Sequence, residues 1–258
     1  MRYEVVMAIV TTAKRDFSIV AESEDLLEFV KERTLDKKFK IRKEAMCGLA
    51  MIYKKHMNNV NVPPDARHIT WIRDKILHGY YMTSIDDRLL VERLVNTCLV
   101  PYQLSPEERM TKLLQMFSSI DENATKAFIE LQKHQMAVRR SVAELVELHR
   151  QQNVEEKDLA AKLSAIARFL PDPLKVQEFV RKLWQHLGTD SELLQLLETV
   201  LCPDVACRDS VEAVVSKLFI VTHDSHCSVN YFYIRKNTIK NYVCQKHSNN
   251  CDTYLVTI

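Results

Sequence analysis

Apolar residues recur along most of the chain at spacings of three and four, the period of a helix that buries one face. Ile41, Ala45, Leu49 and Ile52 form one stripe. Met110, Leu113, Leu114 and Phe117 form a second, and Val176, Phe179, Val180, Leu183 and Leu187 a third. Start signals precede several helices. Ser84-Ile85-Asp86-Asp87 reads as an N-cap with an acid at N3, and Ser105-Pro106-Glu107-Glu108 adds Pro at N1. Asp172-Pro173 repeats that logic. The pattern predicts helices over about 2–12, 24–35, 40–57, 66–80, 85–99, 106–119, 122–151, 155–169, 173–187, 191–201 and 209–218. Most are too short to be stable alone, so their apolar faces must stack. Successive pairs joined by short loops point to an all-α fold, an α-solenoid of helix pairs with one long helix at 122–151. A single compact bundle is the competing shape.

Composition sharpens this. The 258 residues include three Gly and seven Pro, about a third of the usual share. β-sandwiches and barrels need many tight turns, for which Gly supplies the positive φ. Gly48, Gly79 and Gly188 cannot form a dinucleotide fingerprint or a P-loop.

The segment from Asp36 to Leu49 fits the HEAT-repeat spacing. In that pattern the Asp of the turn and the Arg opening the second helix, here Asp36 and Arg42, bond between neighbouring repeats. Ala45 and Leu49 then face the packed side. After about residue 218 the composition shifts to Val, Tyr, Asn, Ser and His. The expected organisation is a HEAT-like α-solenoid over 1–218 and a divergent tail over 219–258 that is poorly ordered. Met1 opens within a helix, and neither end reads as a polar terminal cap, so the sequence looks like an internal piece.

Net charge is +2, too small for a general nucleic-acid binder. Its distribution is uneven. Lys31 to Lys55 holds nine Lys or Arg against three acids, leaving −4 for the rest. Lys37, Lys38, Lys40, Arg42 and Lys43 surround a predicted helix start, where the macrodipole disfavours cations and exposed N–H groups favour an anion. These five are the candidate anion site. The plainer reading is a solvated turn in which Arg42 serves the repeat framework. No interleaved aromatics point to nucleic acid.

Seven cysteines, an odd number, and the lack of any apolar run of membrane length suggest free thiols and no membrane partner. Cys244-x2-His247-x3-Cys251 has zinc-like spacing, with His223, His226 and Cys227 upstream. Spacing alone is weak evidence, so no metal is expected. Catalysis finds no support. His223-Asp224-Ser225 is contiguous, whereas a triad is assembled in space. Asp86 and Asp87 are explained as first-turn acids of a helix. Trp71, Tyr80 and Tyr81 fit a core better than a ligand platform.

Four strings carry a family resemblance: FVKERTLDKKFKIRKEAMCGLAMIYKKH at 29–56, WIRDKILHGYYMTSIDDRLLVERL at 71–94, VPYQLSPEERM at 100–110 and LPDPLKVQEFVRKLWQHLG at 170–188. In this order they resemble the cohesin-associated precocious-dissociation-of-sisters family of HEAT-repeat proteins, over about residues 2–218. The resemblance implies a non-enzymatic regulator of sister chromatid cohesion, with no required cofactor and no small-molecule substrate. It implies docking on the kleisin subunit of cohesin and on the wings-apart-like release factor, contact with chromatin through cohesin, and a nuclear location. Some members bind inositol hexakisphosphate in a basic pocket. The alternatives are an unrelated helical adaptor, or a metal-binding module built on the tail's Cys and His.

Overall fold

The computed structural model describes residues 1–213 apart from 22, 58–68, 152, 170, 171, 189 and 203. The tail from 219, its Cys and His residues, and 214–218 of the last predicted helix lie outside the described residues. No strand occurs among the described residues. The chain divides into two compact units, 1–131 and 132–258. Nothing in the sequence pattern marks that boundary, which falls inside a continuous helix.

The first unit contains α1 (Arg2–Arg15), α2 (Phe17–Ala21), α3 (Glu24–Arg33), α4 (Phe39–Met57) and α5 (Trp71–His78). A 3-10 turn at Gly79–Tyr81 leads to α6 (Ile85–Leu94), which continues into a π turn at Val95–Leu99. Then come α7 (Pro106–Phe117) and the first part of α8 (Glu122–His149). The sequence pattern does not predict α2, whose five residues are too few to show a period.

Helix α4 is the hub, packing against α1, α3, α5 and α6. Its stripe of Ile41, Ala45, Leu49 and Ile52 is buried as the spacing predicts, together with Met46 and Ala50. Fully burying each large side chain contributes roughly 1.5–3 kcal/mol. Helix α1 lies so close that a Cβ at Gly48 would strike both Cγ atoms of Val10. The missing side chain at Gly48 is what makes room for the Val10 side chain.

The second unit contains the rest of α8, α9 (Glu156–Ala167), α10 (Pro173–Leu187), α11 (Ser191–Leu201) and helical residues 207–213. Val142, Leu145 and Leu148 pack with Leu159, Leu163 and Ile166. In the third stripe Val176 and Leu187 are buried, and the three residues between them are half-buried. Arg139 Nη2 donates to the carbonyls of Val200, Leu201 and Cys202 at 3.3, 2.8 and 3.1 Å. A cation there satisfies the open carbonyls at the end of α11 and complements its dipole. At the other end, Asp190 accepts from the amides of Glu192 and Leu193, both at 3.0 Å.

Candidate functional site

Two surface features of the first unit stand out: the turn between α3 and α4, and the outer face of α7. In the turn, Thr34 closes α3 by donating its hydroxyl to Lys31 O at 2.6 Å. Asp36 is buried, and its Oδ1 accepts from the Lys38 amide at 3.0 Å. Arg2 Nη1 of α1 lies 2.7 Å from Asp36 Oδ2, off the line of a hydrogen bond. Arg33 Nη1 is 3.9 Å away on the same oxygen.

The candidate anion residues separate at this point. Arg42 is buried. Its Nε and Nη2 donate to Asp87 Oδ1 and Oδ2 at 2.9 and 2.6 Å, and its Nη1 to the carbonyls of Asp36 and Lys37 at 2.8 and 3.1 Å. The hydrogen bond to Asp87 pushes the guanidinium pKa up against the opposing effect of burial. Arg42 therefore serves the framework and is not on the exposed face of the cluster. Lys37, Lys38 and Lys40 are exposed, and Lys43 is half-buried. Lys40 Nζ sits 4.3 Å above the Tyr3 ring of α1. Asp36 also draws Arg2 and Arg33 to the turn; Arg33 is its neighbour three positions back, whereas no sequence spacing connects Arg2 to it. Asp87, read from sequence as a first-turn acid, is wholly buried. Ser84 does cap that helix, its hydroxyl accepting from the Asp86 amide at 3.2 Å.

Helix α7 starts with a full capping box. Ser105 Oγ accepts from the Glu108 amide at 3.2 Å, and Glu108 Oε2 accepts from the Ser105 amide at 3.0 Å. Arg109 Nη2 holds the helix to the π turn by donating to Asn96 Oδ1 at 2.8 Å. Here the expected stacking fails. Helix α7 buries Met116 and half-buries Leu113. Met110, Leu114 and Phe117 are 56%, 62% and 44% exposed. Their spacing of four and three places them on one face. The spacing predicts the helix, but it carries no information about what covers the stripe. Of the three aromatics assigned to the core, Tyr80 is buried and Trp71 is packed against the core, while Tyr81 is half exposed.

Among the described residues, no group of three or more His, Cys, Asp or Glu is placed to hold a metal ion. None of the described helices is long and apolar enough to cross a membrane. Cys47 and Cys98 are buried, and Cys202 and Cys207 are half-buried.

The fold defines an all-α helical-repeat protein of the HEAT type. It resembles a solved structure of the Pds5–Scc1 complex with a TM-score of 0.69 and 17% identity, covering 88% of this chain and 37% of that one. The profile of the family described as sister chromatid cohesion protein PDS5 matches residues 1–248, past the composition break near 218. Sister chromatid cohesion protein PDS5 homolog A of Gallus gallus is 46% identical over 213 residues, and that of Homo sapiens 45%. Homolog B of Gallus gallus is 42% identical over 224 residues. The chain belongs to the PDS5 family of sister chromatid cohesion proteins. These matches cover 81–84% of the chain, which spans about 16% of the length of each of these relatives.

Proposed function

We propose that this chain is part of a non-enzymatic regulator of cohesin in sister chromatid cohesion, and that the outer face of α7 docks an apolar segment of the kleisin subunit. The observation that carries the docking surface is the exposed Met110–Leu114–Phe117 stripe. A contiguous apolar face is costly in water and marks an interaction surface. The relatives are named for sister chromatid cohesion, and a chain of the same fold was solved in complex with Scc1. Both support a kleisin as the occupant. In this reading the wings-apart-like release factor is a second partner, chromatin is reached through cohesin, and the protein acts in the nucleus. The test is retention of the chain on immobilised Scc1-type kleisin. The parent is retained and a Met110→Glu, Leu114→Glu variant is lost. Equal retention of both contradicts the surface.

A second reading concerns the turn between α3 and α4. Lys37, Lys38 and Lys40 expose three ammonium groups at a helix start while Arg42 fixes the backbone beneath them. This supports binding of a polyphosphate of the inositol hexakisphosphate class there, as a ligand and not as a required cofactor.

A further inference from the structure

The loop between α7 and α8 contains two adjacent serines, Ser118 and Ser119, both exposed. Each has an acid three positions on, Asp121 and Glu122 respectively. Of the two, only Ser119 is tied to a different helix among the described residues. Its hydroxyl accepts from Arg73 Nη1 of α5 at 2.6 Å and lies 2.6 and 3.2 Å from the carbonyls of Gln115 and Met116, to which it donates. Arg73 Nη2 also reaches the Ser119 carbonyl at 3.3 Å. Beside this contact, Asp74 Oδ1 accepts from the Asp121 amide at 2.9 Å, and His78 Nε2 lies 3.0 Å from Asp121 Oδ1. The same Asp121 oxygen caps α8 by accepting from the Ala124 amide at 2.8 Å. One neutral hydroxyl thus sits within a junction of α5, α7 and α8.

We propose that Ser119 is a phosphorylation site for an acid-directed serine/threonine kinase, and that the phosphate loosens this junction. Such a kinase reads carboxylates on the C-terminal side of its serine, and Asp121 and Glu122 stand at the second and third positions. In the reaction Ser119 Oγ attacks the γ-phosphorus of MgATP. The Oγ–P bond forms, the bond to the ADP oxygen breaks, and the hydroxyl proton leaves through the kinase base.

The direction follows from what surrounds the serine. A phosphoserine carries about −1.5 to −2 charges and has no hydroxyl proton to give. The bonds to the Gln115 and Met116 carbonyls are lost, and the dianion faces the negative end of α7. Asp74, Asp121 and Glu122 add like charge. Glu122 is partly offset by its ion pair with Lys126 at 2.6 Å. Arg73 and the start of α8 attract the phosphate, and His78 does so when protonated. Arg73, the Lys126 already paired with Glu122 and a helix terminus are outweighed by three carboxylates and the loss of the proton that Ser119 shares between two carbonyls.

The experiment treats the whole native chain with casein kinase II and MgATP. Fragment-ion mass spectrometry finds one phosphate on Ser119, and Glu122→Gln slows its incorporation. Amide hydrogen exchange at Asp121 and Ala124 becomes about tenfold faster, because the bonds protecting these amides open more often. Ser118→Ala takes the phosphate and shows the same rise, so the result does not depend on a Ser119 variant that folds poorly. Phosphate on neither serine, or on Ser118 alone, overturns the site. Phosphate on Ser119 with unchanged or slower exchange overturns the loosening.

Discussion

Arg42 of α4 and Asp87 of α6 meet as a two-pronged ion pair, 2.9 and 2.6 Å long, although 45 positions separate them in sequence. The pair is buried, and the third arm of the guanidinium holds the carbonyls of Asp36 and Lys37. One side chain thus joins a helix, the turn before it and the next helix pair. Arginine suits this role because its planar fork matches a carboxylate and still has donors left.

Removing one partner strands the other charge in the interior. Asp87→Ala is expected to lower the unfolding free energy by about 3–5 kcal/mol. A double Arg42→Met, Asp87→Leu variant should recover part of that loss, since neither charge of the pair then remains buried, while the carbonyls of Asp36 and Lys37 lose their donor. Denaturant unfolding of the two variants beside the parent checks both statements.

Gly48 gives a second stability test. Gly48→Ala must push Val10 and α1 away from α4, and overpacking of this kind costs typically about 1–3 kcal/mol. Helix propensity alone would favour Ala by roughly 0.8–1 kcal/mol. The sign of the measured change therefore decides between close packing and propensity.

His56 should make stability depend on pH. Its ring lies 4.3 Å from that of Phe17, and its Nε2 is buried with no hydrogen-bond partner among the described residues. Burial, and then the neighbouring Lys55 ammonium, hold the imidazole below its ordinary pKa of 6.5. The unfolded chain therefore takes the proton first. Stability is complete above about 6.5 and falls as the pH drops through the lower folded value. His56→Phe should flatten that part of a melting-temperature profile, and an unchanged slope would place its cause elsewhere.

The α4 stripe was fully legible in the sequence, because a helix surrounded by others buries what its period marks. The fork between Arg42 and Asp87 was legible from one side only. The repeat spacing assigned Arg42 to the framework, while Asp87 looked like an ordinary first-turn acid, since no local signal reports a partner 45 residues away. Arg2, 34 positions from Asp36, was invisible for the same reason. It joins the turn through Asp36, after folding. The α7 stripe shows the converse. Its period was plain, yet Leu114 lies exposed, because period fixes which residues share a face and says nothing of what lies opposite.

For the basic turn, inositol hexakisphosphate should raise the melting temperature. A ligand held only by the folded state stabilises it by about 2.7 kcal/mol at one hundred times Kd. The rise should shrink with added salt and largely vanish in a Lys37→Glu, Lys38→Glu, Lys40→Glu variant. Arg42 is left in place so that the turn stays folded. Sulfate at equal ionic strength should do much less. If it does as well, the turn is a solvated basic surface and not a site.

The central claim is that the exposed face of α7 receives a kleisin, and titration calorimetry with an Scc1-type kleisin segment tests it most directly. The parent chain should bind. Leu114→Glu should weaken binding at least about thirtyfold, the roughly 2 kcal/mol of a central interface anchor. Leu174→Glu, which alters a leucine 81% exposed on α10, should bind like the parent. A parent that does not bind, or a Leu114→Glu variant that binds as tightly as the parent, would contradict the account.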